Sequence, residues 1–160
     1  STGDSLYRRS MYTYWKRSAP PPMMLNFDAA ERHFCSVKRQ KTSTPLQALV
    51  TLNDPQFVEA SRALAQKAME DERLGGDTEA ILRYFFKSLA SREPSPAELK
   101  ILSELYNSEE AEFRSKPLKA KQLLSVGEAP CNPKLQPDRL AAYTVVAGTV
   151  MNFDEVLIKR

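Results

Sequence analysis

The chain has 160 residues, 42% hydrophobic and 27% charged, one domain's length with enough apolar content for a core, which excludes a disordered chain. Five glycines against eleven prolines point to helices punctuated by proline rather than to a sheet with glycine turns. The net charge of +3 is uneven, with eight basic and three acidic side chains in residues 1–41 against fifteen and seventeen in 42–160, so the N-terminal end is the one suited to an acidic partner.

The chain opens on Ser1 rather than Met, and the expectation is a processed or excised piece of a larger protein. From Leu6 to Arg17, Tyr7, Met11, Tyr14 and Trp15 fall at i, i+4, i+7 and i+8, which predicts an amphipathic helix with its aromatic face in the core. Rings buried there cannot stack on bases, so the flanking Arg8, Arg9, Lys16 and Arg17 do not predict a nucleic-acid site. Pro20, Pro21 and Pro22 predict an extended strap, since proline keeps the residue before it out of the helical region; a polyproline ligand is the sharper alternative. Met23, Met24, Leu25 and Phe27 are expected to anchor the strap in the core, and Asp28 with Glu31 predicts a capping box opening a short helix.

His33 and Cys35 offer two metal ligands at most, where a structural zinc site wants four and a catalytic one three, so no metal is expected. As a base and nucleophile pair they diverge on a helix, and on a strand nothing orients the base. Cys35 and Cys131 fit either one disulfide or two free thiols. Residues 36–44, SVKRQKTST, predict a basic loop. Within it Lys38, Arg39 and Lys41 could clamp an anion beside the start of the next helix, whose dipole also attracts negative charge; the plainer alternative is a solvated loop.

Thr44 to Ala65, TPLQALVTLNDPQFVEASRALA, is the expected hub. Thr44 with Pro45 starts a helix running to about Leu52, and Asp54 with Pro55 starts a second running to about Glu72. In the second, Phe57, Val58, Ser61, Leu64, Ala65, Ala68 and Met69 predict the buried face, and Glu59, Arg62, Gln66 and Lys67 the wet one. Gln47 and Asn53 are amides that could hold a ligand in this helix–turn–helix, or simply bond to nearby backbone and close a helix end.

Gly75 and Gly76 stop the hub helix and Asp77 caps the next, which carries Ile81, Leu82, Phe85, Phe86 and Leu89 and ends near Ser91. Ser95-Pro96-Ala97-Glu98 is a capping box opening a long helix to about Lys116, with Leu99, Leu102, Leu105, Tyr106 and Phe113 inward. Its Glu104, Glu109, Glu110 and Glu112 predict an exposed face rather than acid–base chemistry. Pro117 restarts a shorter helix closed by Gly127, and residues 128–136 form a loop. The last helix, from Pro137 or Asp138, is apolar nearly all round and predicted to be central, with Gly148 allowing close helix contact. Its apolar run from Leu140 to Phe153 is too short to span a bilayer.

The strings RRSMYTYWKRSAPPPMMLNFD, TPLQALVTLNDPQFVEASRALA, SREPSPAEL and AAYTVVAGTVMNFDE resemble the C-terminal part of a planctomycete-type domain of unknown function found downstream of cytochrome-c-like domains in large exported proteins. The resemblance implies an extracytoplasmic setting, periplasmic or at the cell envelope, and a parent protein that can carry haem elsewhere. It supplies no catalytic residues. The chain has no CxxCH, so it cannot attach c-type haem covalently.

Together these readings predict a single all-α domain over residues 1–160, of about six to seven helices with an extended proline-rich strap near the N-terminus. The expected function is a non-catalytic structural or interaction module of a larger, exported, cytochrome-associated protein. Its partners would be other domains of the parent polypeptide or an envelope protein, with no nucleic acid, no membrane span and no cofactor in this chain. The alternative is part of an extracytoplasmic hydrolytic or redox enzyme completed by upstream domains, to which Arg39, Lys41, Gln47 and Asn53 would contribute.

Overall fold

Four of the helices start where a side chain of the preceding residue caps the first turn. The computed structural model describes residues 7, 10–16, 18–30, 35, 37, 38 and 42–158. Among these lie eight α-helices and no strand: α1 Pro22–Asn26, α2 Pro45–Asn53, α3 Pro55–Glu70, α4 Thr78–Leu89, α5 Pro96–Ser115, α6 Pro117–Leu124, α7 Pro137–Met151 and α8 Asp154–Leu157. Proline occupies the first turn of α1, α2, α3, α5, α6 and α7, where its missing N–H is no loss. Ser95 and Glu98 form the expected capping box, with Asp54 and Asp77 capping α3 and α4. A second capping box, Thr44 with Gln47, was readable in T-P-L-Q as the same motif.

The core forms around α7, which packs against α3, α5, α6, α4 and α2. Leu140, Ala141, Ala142, Tyr143, Val146, Ala147 and Val150 are all buried, as its nearly unbroken apolar sequence requires. Alanines at 65 and 68 let α3 approach, while α4 contributes Ile81, Leu82, Phe85 and Phe86 and α5 contributes Leu102, Tyr106 and Phe113. Tyr106 stacks on Tyr143 with centroids 4.3 Å apart, and Phe85 meets the same ring edge-on at 6.1 Å.

Four expectations are corrected. Thr13–Lys16 are not helical, and Ser10–Tyr12 make a 3-10 turn; a segment this short does not sustain an α-helix by propensity. Tyr7, Met11, Tyr12 and Tyr14 are exposed and Trp15 is half-buried, so burial does not withhold these rings from a partner. The strap is shorter than three prolines predicted, since Pro22 already begins α1. Met23, Met24, Leu25 and Phe27 line its edge rather than the core, and Phe27 meets Phe57 at 6.0 Å. Asp28 ends α1 instead of opening a helix: at φ 55° it holds the left-handed position of a Schellman motif, with Ala29 N–H donating to the Met24 carbonyl and Asp28 N–H to that of Leu25. Its carboxylate then accepts from Thr42 N–H at 2.7 Å and from the Thr42 hydroxyl. Glu31 and His33 lie outside the described residues. Lastly, α3 stops at Glu70, because Asp71 turns out to cap a 3-10 turn, Glu72–Leu74, closed by Gly75 in the left-handed region.

Gly148 faces the Ser61 hydroxyl, and a methyl placed there would sit 3.5 Å from that oxygen, an ordinary contact. Close approach of α3 and α7 therefore does not depend on a glycine. Gly148→Ala is expected to raise stability by up to about 1 kcal/mol through helix propensity alone, whereas Phe86→Ala should cost about 3–5 kcal/mol. Urea unfolding of the two variants checks both.

Candidate functional site

Of the predicted anion and partner residues, Lys38, Gln47 and Asn53 fall among the described residues, and Gln47 and Asn53 each bond to nearby backbone. Lys38 is exposed in a bend and Cys35 is an exposed free thiol, while Arg39 and Lys41 lie outside the described residues. Gln47 is buried. Its Oε1 accepts from Thr44 N–H at 3.1 Å, and its Nε2 donates to the Asn26 carbonyl at 2.6 Å and to Thr42 Oγ1 at 3.2 Å. Gln47 thus staples α1 and the loop before α2 together. Asn53 sits at the far end of α2, about 9 Å along the axis, where its amide donates to the Leu49 carbonyl at 2.8 Å.

The structure instead organises a polar seam on the side of α3 expected to face water. Glu59, Arg62, Gln66 and Glu70 recur at i, i+3, i+7 and i+11, one line down a helix, and the 128–132 loop lies along it. Glu59 accepts from the N–H groups of Glu128 at 3.0 Å and Ala129 at 2.5 Å, and the Tyr7 hydroxyl also donates to it. Arg62 Nη2 donates to the Ala129 carbonyl at 2.6 Å. Gln66 accepts from Asn132 N–H at 3.2 Å, and the Asn132 amide donates to Glu70 at 2.7 Å. Glu59 and Arg62 are 3% and 2% exposed, which corrects their placement on the wet face; Lys67 alone of the four expected there is exposed. The cause is the loop, whose backbone needs partners that no regular element provides.

Charge in this seam is balanced but tight. Burial pushes the Glu59 carboxyl toward protonation, yet the Tyr7 hydroxyl, the two backbone N–H groups and the Arg62 guanidinium outweigh it and hold its pKa below the ordinary glutamate value. Arg62 Nε is buried without a hydrogen-bond partner. Gly127, at φ +93°, brings the loop so close that an added Cβ would lie 2.7 Å from the Cβ of Glu59. The seam was missed because its partner is some seventy residues away in sequence; its one local signal is the polar line 59, 62, 66, 70 beside a loop holding Pro130 and Pro133.

Two smaller polar clusters pin other joints. Arg139 donates to the Tyr106 hydroxyl at 3.2 Å and to that of Tyr143 at 3.4 Å, and Tyr143 donates to Thr78 at 3.1 Å; burial first of all raises the Tyr106 pKa. Arg92 bridges Glu98 and Glu155, each at 2.6 Å, while lying 5.0 Å over the Phe86 ring. The Arg92 guanidinium, with Ser95 N–H, holds the Glu98 carboxyl down at about 2. A depression lined by Asn152, Phe153, Asp154, Glu155 and Ile158 opens beside this pair. Among the described residues, no group of three or more His, Cys, Asp or Glu is placed to hold a metal, and no helix is long and apolar enough to cross a membrane.

The remaining surface feature is apolar. On α2 the leucines at 46, 49 and 52 are 51%, 58% and 48% exposed, whereas Gln47 and Thr51 are buried; Thr51 donates to Asn152 at 2.7 Å. This helix carries Gln47 and Thr51 inward and its three leucines outward, with Asn53 exposed at its end, largely the reverse of a solvated surface helix.

Gly127→Ala is expected to destabilise by about 3 kcal/mol or more, from the positive φ and the contact with Glu59 together. Glu59→Gln should cost about 3–5 kcal/mol at pH 7 by leaving Arg62 buried and uncompensated. Because the folded pKa of Glu59 is lowered, its contribution is complete above the unfolded value near 4.5 and fades as pH falls through the folded one. The gap between wild type and Glu59→Gln should therefore narrow from pH 7 toward pH 3, which urea midpoints across that range will show.

No curated protein and no solved structure matches the chain. The family described as PSD1, protein of unknown function (DUF1553), matches residues 1–106, a span that includes the capped helices α2 to α4, the polar line of α3 and the first half of α5. The chain belongs to this DUF1553 family.

Proposed function

We propose that this chain is a non-catalytic structural or interaction module of a larger, extracytoplasmic, cytochrome-associated polypeptide, docking onto that polypeptide's other domains or an envelope protein. The observation that carries the reading is the inverted α2, whose Gln47 and Thr51 are turned inward and partnered while Leu46, Leu49 and Leu52 face out. Exposed apolar stripes of this kind mark contact surfaces. The buried ionic side chains support it too, since Glu59 and Arg62 bond to the chain's own loop backbone rather than converging on an open cleft. The extracytoplasmic and cytochrome-associated setting rests on the family resemblance alone, and any haem would belong to another domain.

The contrasting reading, part of a hydrolytic or redox enzyme completed by other domains, needs Arg39, Lys41, Gln47 and Asn53 to meet a substrate. Gln47 is occupied in stapling α1 to α2, which weighs against it.

Amide exchange of α2 distinguishes the two, compared between the 160-residue chain and the same helix within the whole polypeptide. Docking should slow exchange there by about tenfold or more, and equal rates would sink the module reading. Lys41→Ala and Asn53→Ala should leave any turnover by the whole polypeptide within about twofold; a loss of a hundredfold or so would instead support the enzyme reading.

A further inference from the structure

One guanidinium ties the last described helix to the rest of the bundle. Ser91, left-handed at φ 59°, ends α4 and leads into Arg92. Every N–H of the Arg92 guanidinium is then used: Nε donates to Glu155 at 3.0 Å, Nη1 to the Glu93 carbonyl at 3.0 Å and to Glu98 at 2.9 Å, and Nη2 to Glu98 and Glu155 at 2.6 Å each. The Phe86 ring beneath it is met edge-on by Phe153 at 5.5 Å. Glu155 is the α8 end of this clasp, and α8 has no buried residue of its own, so burial alone does little to hold it. Arg92 and Glu155 are 38% and 41% exposed, where solvent weakens an ion pair enough for it to open. The depression lined by Asn152, Phe153, Asp154, Glu155 and Ile158 leaves α8 room to move.

The residue next to the α8 cap is Asn152, whose Oδ1 takes the Thr51 hydroxyl of α2 at 2.7 Å. Thr51 has one proton to give, and the Gln47 and Ala48 carbonyls of its own helix stand 2.9 and 3.0 Å away. The hydroxyl can therefore leave Asn152 for the backbone of α2 without becoming an orphaned donor. Both arrangements satisfy it, and the position of Asn152 selects between them.

We propose that α8 is a latched flap, that Arg92 with Glu155 is its latch, and that unlatching loosens α2 by drawing Asn152 away from Thr51. The inference rests on the interaction-module reading for its use, since α2 is the surface that reading assigns to contact. By linkage, whatever binds α2 in its seated position also favours the latched α8.

Amide exchange followed by NMR on the 160-residue chain tests it, with Glu155→Gln and Arg92→Lys as two ways of weakening the latch. The first leaves Arg92 with Glu98, and the second keeps the charge but loses the fork. In wild type the amides of α8 and of the end of α2 should exchange at least about tenfold faster than the slowest of α7, marking both openings as local. Each variant should speed the Val156, Leu157 and Ile158 N–H groups, which bond to Phe153 and Asp154 carbonyls, and the Asp54 N–H, which bonds to Val50, by about threefold or more. In a Thr51→Val background the α2 response should vanish while the α8 response stays. Exchange of α8 at the α7 rate, or unchanged α8 rates in both variants, would overturn the flap. Faster α8 with unchanged α2, or an α2 response that survives Thr51→Val, would overturn the route through Asn152. These outcomes are read in the 160-residue chain alone, whereas the module reading stands or falls on α2 within the whole polypeptide.

Discussion

The fold depends on how one irregular loop satisfies its backbone. Residues 128–136 must cross α3 to deliver α7 to the centre, and two prolines deprive them of any ladder of their own. Side chains of α3 stand in for that ladder, with two N–H groups received by Glu59, one carbonyl by Arg62 and another N–H by Gln66. An unmade bond of this kind costs more than a made one contributes, so the polar line is fixed in place by what it prevents. Glu59 and Arg62 are then held in register by separate backbone atoms as much as by each other, with 4.0 Å between their nearest charged atoms.

Helix starts were readable in the sequence because their chemistry is local. Thr44-Pro45, Asp54-Pro55, Asp77 and Ser95-Pro96 each announce a boundary within four residues, and all four stand where expected. The central position of α7 was readable for the same reason, since a helix apolar on every side has nowhere else to go. The N-terminal aromatics misled because the spacing of Tyr7, Met11, Tyr14 and Trp15 imitates an amphipathic helix, whereas Thr13–Lys16 are not helical and Tyr7, Met11 and Tyr14 are exposed. The candidate site was less readable still. Helical periodicity sorts side chains into inward and outward, and it has no place for a third face that a distant loop covers, so Glu59 and Arg62 were assigned to water. Lys38, Gln47 and Asn53 drew notice through residue type, yet Gln47 and Asn53 answer to neighbouring backbone.

Charge and apolar surface are segregated across the molecule in a way that suits attachment to something else. The bundle of α3 to α7 dresses its outer faces in ion pairs such as Arg83 with Glu79 and Lys119 with Glu112, individually weak contributions that keep those faces wet. The α1–α2 layer has none. Inside it Gln47 ties α2 to the Asn26 carbonyl of α1, and Thr51 reaches Asn152 at the end of α7. The layer is therefore fastened by hydrogen bonds on the inside and left greasy outside, and it adds little to the core itself.

Pro55 has an effect beyond starting a helix. Without an N–H, and with its ring barring Asp54 from the helical region, it keeps α2 and α3 from fusing into one continuous rod. The elbow at Asn53-Asp54 is thereby set by covalent chemistry, whether or not anything lies against it. The leucines of α2 are consequently presented at one pitch to whatever approaches, and an incoming surface must accommodate that angle rather than bend it.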